Sequence, residues 1–159
     1  MTRRRMLGFG LAGLVVALDQ ATKLWALRAV DETVATPFLP FVDLRLRLNP
    51  GVSFSFLPAH SSLAVAALTL FALGVAAGLS VWLWRTPALL ATLGLGAVIG
   101  GALGNAVDRV AYGAVVDFLD LHAFGRHFFV FNGADAAINL GVALLLIDGL
   151  WGAGAKRAT

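Results

Sequence analysis

Residues 62–84 read SLAVAALTLFALGVAAGLSVWLW, residues 85–87 are Arg85-Thr86-Pro87, and residues 88–107 continue as ALLATLGLGAVIGGALGNAV. Neither long run holds a charged side chain. A helix rises about 1.5 Å per residue, so roughly 20 apolar residues cross a hydrocarbon core about 30 Å thick. Backbone N–H and C=O groups cannot stay unpaired in lipid, so runs of this length are helices. The short turn between them makes a tight helical hairpin. Two further runs of the same kind flank the pair, at about 6–25 and about 128–151, the last interrupted by Asp135 and Asp148. The expectation is an all-α membrane protein, a four-transmembrane-helix bundle forming one integral membrane domain over residues 1–159.

Composition agrees. Of 159 residues, 59% are hydrophobic and 13% charged, against about 45–50% and roughly 25% in a soluble domain. A net charge of +3 is too small and too scattered to argue for nucleic acid. The absence of cysteine excludes disulfides, thiolate metal sites and a cysteine nucleophile. Arg3, Arg4 and Arg5 ahead of an apolar run imitate a signal peptide, but no small-residue cleavage site follows. The run meets Asp19-Gln20-Ala21-Thr22-Lys23 instead, which reads as a retained first helix.

Flanking positive charge sets direction. The dense N-terminal arginine triplet and the short Arg85 turn place both termini in the cytoplasm. The largest piece on the outer side is then the loop at about 28–61. Within it Leu44-Arg45-Leu46-Arg47-Leu48 alternates, Asn49-Pro50-Gly51 turns, and Val52, Phe54 and Phe56 alternate again. Period-two patterning about a turn predicts two strands of a small extracytoplasmic antiparallel β-sheet. Gly94, Gly96, Gly100, Gly101 and Gly104 in the third run, and Gly74 and Gly78 in the second, predict close helix packing and no chemistry.

Carboxylates at bilayer depth are costly and mark function by default. Asp19 lies about 20 Å along the first helix, Asn105 and Asp108 close the third, and Asp135 sits about 10 Å into the fourth. Asp117 falls between the third and fourth helices. All of these fall in one layer near the outer boundary. Lys23 is one helical turn from Asp19 and can pair with it. Asn132, Asp135 and Asn139 share a helical face, as do Gly101, Asn105 and Asp108, so each carboxylate comes with an amide. Two aspartates meeting in a low-dielectric site share a proton. One can then accept a proton from water while the other polarises a carbonyl. Ser53, Ser55, Ser61, Ser62 and Ser80 lack a neighbouring base, and His122 and His127 share no helical face.

Five segments carry a family resemblance: Asp19-Gln20-Ala21-Thr22-Lys23, Asn49-Pro50-Gly51-Val52-Ser53-Phe54, residues 101–109 (GALGNAVDR), Val115-Val116-Asp117-Phe118 and Phe131-Asn132-Gly133-Ala134-Asp135. In this order they resemble the motifs of lipoprotein signal peptidase, signal peptidase II, along nearly the whole chain. Gly133 departs from the branched residue the family often carries. The resemblance implies an intramembrane aspartyl endopeptidase of the bacterial cell membrane. Such an enzyme cuts lipid-modified prolipoproteins before the diacylglyceryl cysteine, near the extracytoplasmic face. It implies Asp117 and Asp135 as the catalytic dyad, with Asn49, Asn105, Asp108, Arg109 and Asn132 orienting the dyad or the substrate. Asp19 and Lys23 read as structural polar residues. No metal or cofactor is expected; the partners are the substrate and membrane lipid, with no nucleic acid, and the chain is expected to be a monomer.

The bland reading of Asp117 and Asp135 is an ion pair with Arg109 or Arg126. Asp31, Glu32, Asp43 and Asp120 read as loop surface, Asp148 as a wet helix end, and Trp25, Trp82, Trp84 and Trp151 as aromatic belts. The rival function is a small transporter or channel subunit, which predicts ionisable groups spread through the membrane depth.

Overall fold

The structure is a computed structural model that describes residues 2–51 and 62–157, the stretch from 151 on by its backbone alone. Four helices, α1 (Arg3–Ala29), α2 (Ser62–Arg85), α3 (Leu89–Tyr112) and α4 (Gly133–Arg157), are joined by four strands. These are β1 (Thr36–Leu39), β2 (Val42–Asn49), β3 (Val115–Ala123) and β4 (Arg126–Phe131). All four helices are long and apolar enough to cross a membrane.

α3 is the hub, packed against α1, α2 and α4 and buried along most of its length. Glycine makes this possible. A Cβ on Gly96 would stand 2.5 Å from the Gly8 carbonyl oxygen of α1, and one on Gly101 would stand 2.5 Å from the Ala134 carbonyl oxygen of α4. Backbones this close leave no room for a methyl group, as expected for membrane helices that associate by packing. Gly74 and Gly78 do not belong to this set, because a Cβ on either would meet nothing within 4 Å. α2 turns that face away from its neighbours.

The strands form one antiparallel meander in the order β1-β2-β3-β4. Thus the sheet draws on two connections, that between α1 and α2 and that between α3 and α4. Asp31 closes the turn out of α1, its Oδ1 accepting the Thr33 amide and hydroxyl, each at 2.6 Å. Leu44 and Leu46 of β2 and Val116 and Phe118 of β3 turn one sheet face onto Ala26 and Leu27 of α1. Trp25 meets Phe118 edge-on at 6.3 Å. Arg45, Arg47 and Asp117 alternate with these residues onto the opposite face. The strand expected at Val52–Phe56, and the serines at 53, 55 and 61, lie outside the described residues.

Two boundaries next to the polar layer differ from expectation. α3 runs on to Tyr112, so Asp108 and Arg109 lie within the helix; Gly113, at φ +71° in the left-handed region, ends it with its N–H on the Arg109 carbonyl at 3.1 Å. α4 begins at Gly133, not 128, because Phe128–Phe131 pairs with β3. A short apolar run carries no period that separates strand from helix, and the ladder decides it. The Asn132 carbonyl accepts the first helical bond of α4, from Ala136 at 3.2 Å, so Asn132 is a cap and not a member of the helical face.

Candidate active site

The first layer of the site is built around Lys23. Its ammonium lies 2.8 Å from Asp19 Oδ2, 2.7 Å from Asp108 Oδ2 and 2.9 Å from Asn105 Oδ1. An ammonium has three donors, and all three are used. Each carboxylate also anchors another element: Asp19 Oδ1 accepts the Ala134 amide of α4 at 2.9 Å, and Asp108 Oδ2 the Val116 amide of β3 at 3.0 Å. Gln20 adds a third tie, donating to Asp108 Oδ1 at 2.8 Å. Asp19, Lys23 and Asp108 are no more than 2% exposed. The expected Asp19–Lys23 pair forms, and Asp108 joins that cluster.

The second layer grows out of the first through asparagines. Lys23 can only donate, so Asn105 must present its oxygen to it and its Nδ2 elsewhere. That Nδ2 donates to Asp135 Oδ1 at 2.8 Å. Asn132 is fixed likewise: its Oδ1 accepts the Asp135 backbone N–H at 2.9 Å, so its Nδ2 donates to Asp117 Oδ1 at 2.7 Å and to Asn105 Oδ1 at 3.2 Å. Asp135 returns the contact, Oδ2 accepting the Asn132 N–H at 3.3 Å. This is the reciprocal capping box of a helix start, built from Asn and Asp. Asn49, at the end of β2, has its oxygen on the Gly51 amide at 2.9 Å and gives its Nδ2 to Asp117 Oδ2 at 2.9 Å.

Asp117 and Asp135 therefore enter one network from a strand and a helix start, joined through Asn132 and Asn105. Among the described residues neither makes an ion pair; their hydrogen-bond partners are amides. Burial raises the Asp117 carboxyl, the Asn49 and Asn132 amides pull it back, and the neighbouring Asp135 charge raises it again, leaving it at about 6. A cavity of about 490 Å³ between β4 and α4 is lined by Asp135, Phe131 and Asn139. A larger one of about 660 Å³ between α2 and α3 reaches Arg109, Tyr112 and Thr69 but neither carboxylate. Arg109 donates Nη1 to the Asn105 carbonyl at 3.2 Å, and its buried Nε has no partner among the described residues.

Some polar residues were misread from sequence. Asp120 is 1% exposed, not loop surface, and its Oδ2 lies 2.9 Å from His127 Nδ1. His122 and His127, five apart in the chain, face each other across the β3–β4 pair with ring centroids 5.7 Å apart. His122 also lies 3.1 Å from Asp43. Gln20, a polar amide inside an apolar helix, belongs to the site as well, through its bond to Asp108. Asn139 shares the Asp135 side of α4 without bonding to that carboxylate.

Fold and site together define a four-helix membrane protein whose polar centre lies where helix ends meet a small sheet. A family model described as Signal peptidase (SPase) II matches residues 11–151. The lipoprotein signal peptidase of Beijerinckia indica subsp. indica is 48% identical over 149 residues, covering 91% of this chain and 87% of that protein. That of Methylocella silvestris is 44% identical over 151 residues, covering 94% and 88%. A solved bacterial membrane enzyme, determined by the in meso method, superposes with a TM-score of 0.78 at 28% identity, covering 91% of this chain and 92% of that one. The chain belongs to the signal peptidase II family, aspartic-type peptidases that remove signal peptides from prolipoproteins.

Proposed function

We propose that Asp117 and Asp135 are the catalytic dyad with which this chain cuts diacylglyceryl-modified prolipoproteins before the lipidated cysteine. The observation that carries the reading is the amide network: two carboxylates from different elements, each held by asparagine side chains and, among the described residues, neither in an ion pair. In this reading Asp117 carries the proton the dyad shares and polarises the scissile carbonyl. Asp135 takes a proton from the attacking water as the water oxygen bonds to the scissile carbon, and hands that proton to the leaving nitrogen as the tetrahedral intermediate collapses and the C–N bond breaks. Asn49, Asn105 and Asn132 hold the two carboxylates in register. Asp108 supports β3 from below. Arg109, whose Nε has no partner among the described residues, contacts the substrate from the wall of the larger cavity. Asp19 and Lys23 are structural.

In this reading the chain is one monomeric membrane domain with both termini cytoplasmic, and the sheet and site lie at the extracytoplasmic face. The lipid of the substrate then stays in the bilayer while its peptide reaches the dyad. The test is cleavage of a lipid-modified prolipoprotein by the enzyme reconstituted in membranes. Asp117→Asn and Asp135→Asn are each expected to lower the rate by about 10²–10⁴-fold. Wild-type cleavage by either variant overturns the dyad.

A further inference from the structure

At the opposite end of the helices, four arginines surround a cavity of about 420 Å³: Arg3, Arg4 and Arg5 at the start of α1, and Arg85 at the end of α2, with Thr2 and Trp84 beside them. Arg5 is fixed there. Its Nε donates to the Trp84 carbonyl at 2.8 Å, and its guanidinium lies 4.5 Å over the Trp84 ring. Among the described residues Arg3, Arg4 and Arg85 make no ion pair or hydrogen bond, and no carboxylate lines the cavity. The first turn of α1 contains no acidic residue, and Thr2 provides no side-chain cap. Four like charges gathered around one opening, with no counter-ion among the described residues, repel one another, and a ligand with several anionic oxygens relieves that repulsion. Sequence accounts for these arginines as topology signals, but topology needs only positive charge near the helix ends, not a shared cavity.

The surroundings identify the ligand's other half. Met6 is 61% exposed, Leu7 48% and Leu89 50%, so apolar surface continues from the arginines along the membrane-facing flanks of α1 and α3. A free phosphate has no use for that surface; acyl chains do. We propose that this cavity binds the phosphate of an anionic phospholipid, with its chains lying along α1 and α3. Guanidinium forks suit phosphate oxygens in two-point contact, and basic pockets between membrane helices take such headgroups.

The test is native mass spectrometry of the full-length protein, titrated with phosphatidylglycerol, phosphatidylcholine or inorganic phosphate. The wild type is expected to retain one phosphatidylglycerol in preference to phosphatidylcholine. Each basic side chain near a lipid surface contributes about a fivefold preference, so Arg3→Gln/Arg4→Gln/Arg85→Gln should weaken retention by about a hundredfold. Intact prolipoprotein cleavage shows that this variant is folded and inserted. Should it fail to insert, Arg85→Gln alone should still weaken retention about fivefold. Equal retention of the two lipids by the wild type overturns the proposal. So does a preference unchanged in a folded variant, or phosphate alone binding as tightly as the lipid.

Discussion

Replacing Gly104 with alanine tests how tightly the two layers of the site are coupled. The new Cβ would stand 2.5 Å from Asp19 Oδ2 and 3.2 Å from its Cγ. Ordinary contact begins at 3.4 Å, so the oxygen must retreat by about 0.9 Å, the difference between those two distances. That oxygen is held by Lys23 at 2.8 Å, and its carboxyl partner by the Ala134 amide at 2.9 Å. Breaking a buried ion pair costs about 3–5 kcal/mol. The higher helix propensity of alanine returns about 1 kcal/mol, leaving a loss of about 2 kcal/mol or more. Ala134 directly precedes Asp135, and a misplacement of about 1 Å at a reacting group costs on the order of 10²-fold in rate. Thermal unfolding in nanodiscs and prolipoprotein cleavage are the two assays. Gly74→Ala and Gly78→Ala are the controls, since nothing lies within 4 Å of either added methyl, and both should unfold no earlier than wild type. A Gly104→Ala enzyme with unchanged melting and cleavage refutes the coupling of Asp19 to the start of α4.

Other outcomes follow from the same geometry. The Asn49 bond to Asp117 favours the ionised carboxylate, so Asn49→Ala should raise that carboxyl above about 6. If protonated Asp117 is the acid, the alkaline fall of kcat/KM then moves to higher pH; a limb that stays put or moves down counts against Asp117 in that role. A carboxyl raised on folding contributes stability that is present below 3.8 and lost as pH rises through about 6. Melting temperature should therefore fall across that window, and the fall should be smaller in Asp117→Asn. Lys23→Met leaves Asp19 and Asp108 buried together without their cation, a loss of about 3–5 kcal/mol seen as early unfolding, and adding Asp108→Asn should recover part of it.

The helices were legible because lipid imposes a length and a composition that few other structures share. The polar layer was legible for the same reason: Asp19, Asn105 and Asp108 stand out against apolar helices. Direction within that layer was not. Nothing in the spacing says that Asn105 turns its oxygen to Lys23 and its nitrogen to Asp135, because this depends on a donor from a different helix. β3 and β4 were missed for a related reason. The apolar and aromatic runs within residues 115–131 are too short to show a period, and they become strands by pairing, β3 with β2 far away in sequence and β4 back onto β3. Asp120 and His127 were lost with them, since partners across a hairpin share no helical period.

The glycine-lined hub has a consequence for biogenesis. α3 enters the membrane with Asn105 and Asp108 already aboard, while the donors at Val116 and Asn132 lie further along the chain and follow it. In the nascent chain, Lys23 of the first helix is the partner that can reach both residues early. The first and third segments are thus tethered before the fourth exists, and α4 docks last onto a prepared groove at Gly94 and Gly101. A chain halted before residue 132 would leave those amides and carboxylates open to the membrane's quality-control proteases.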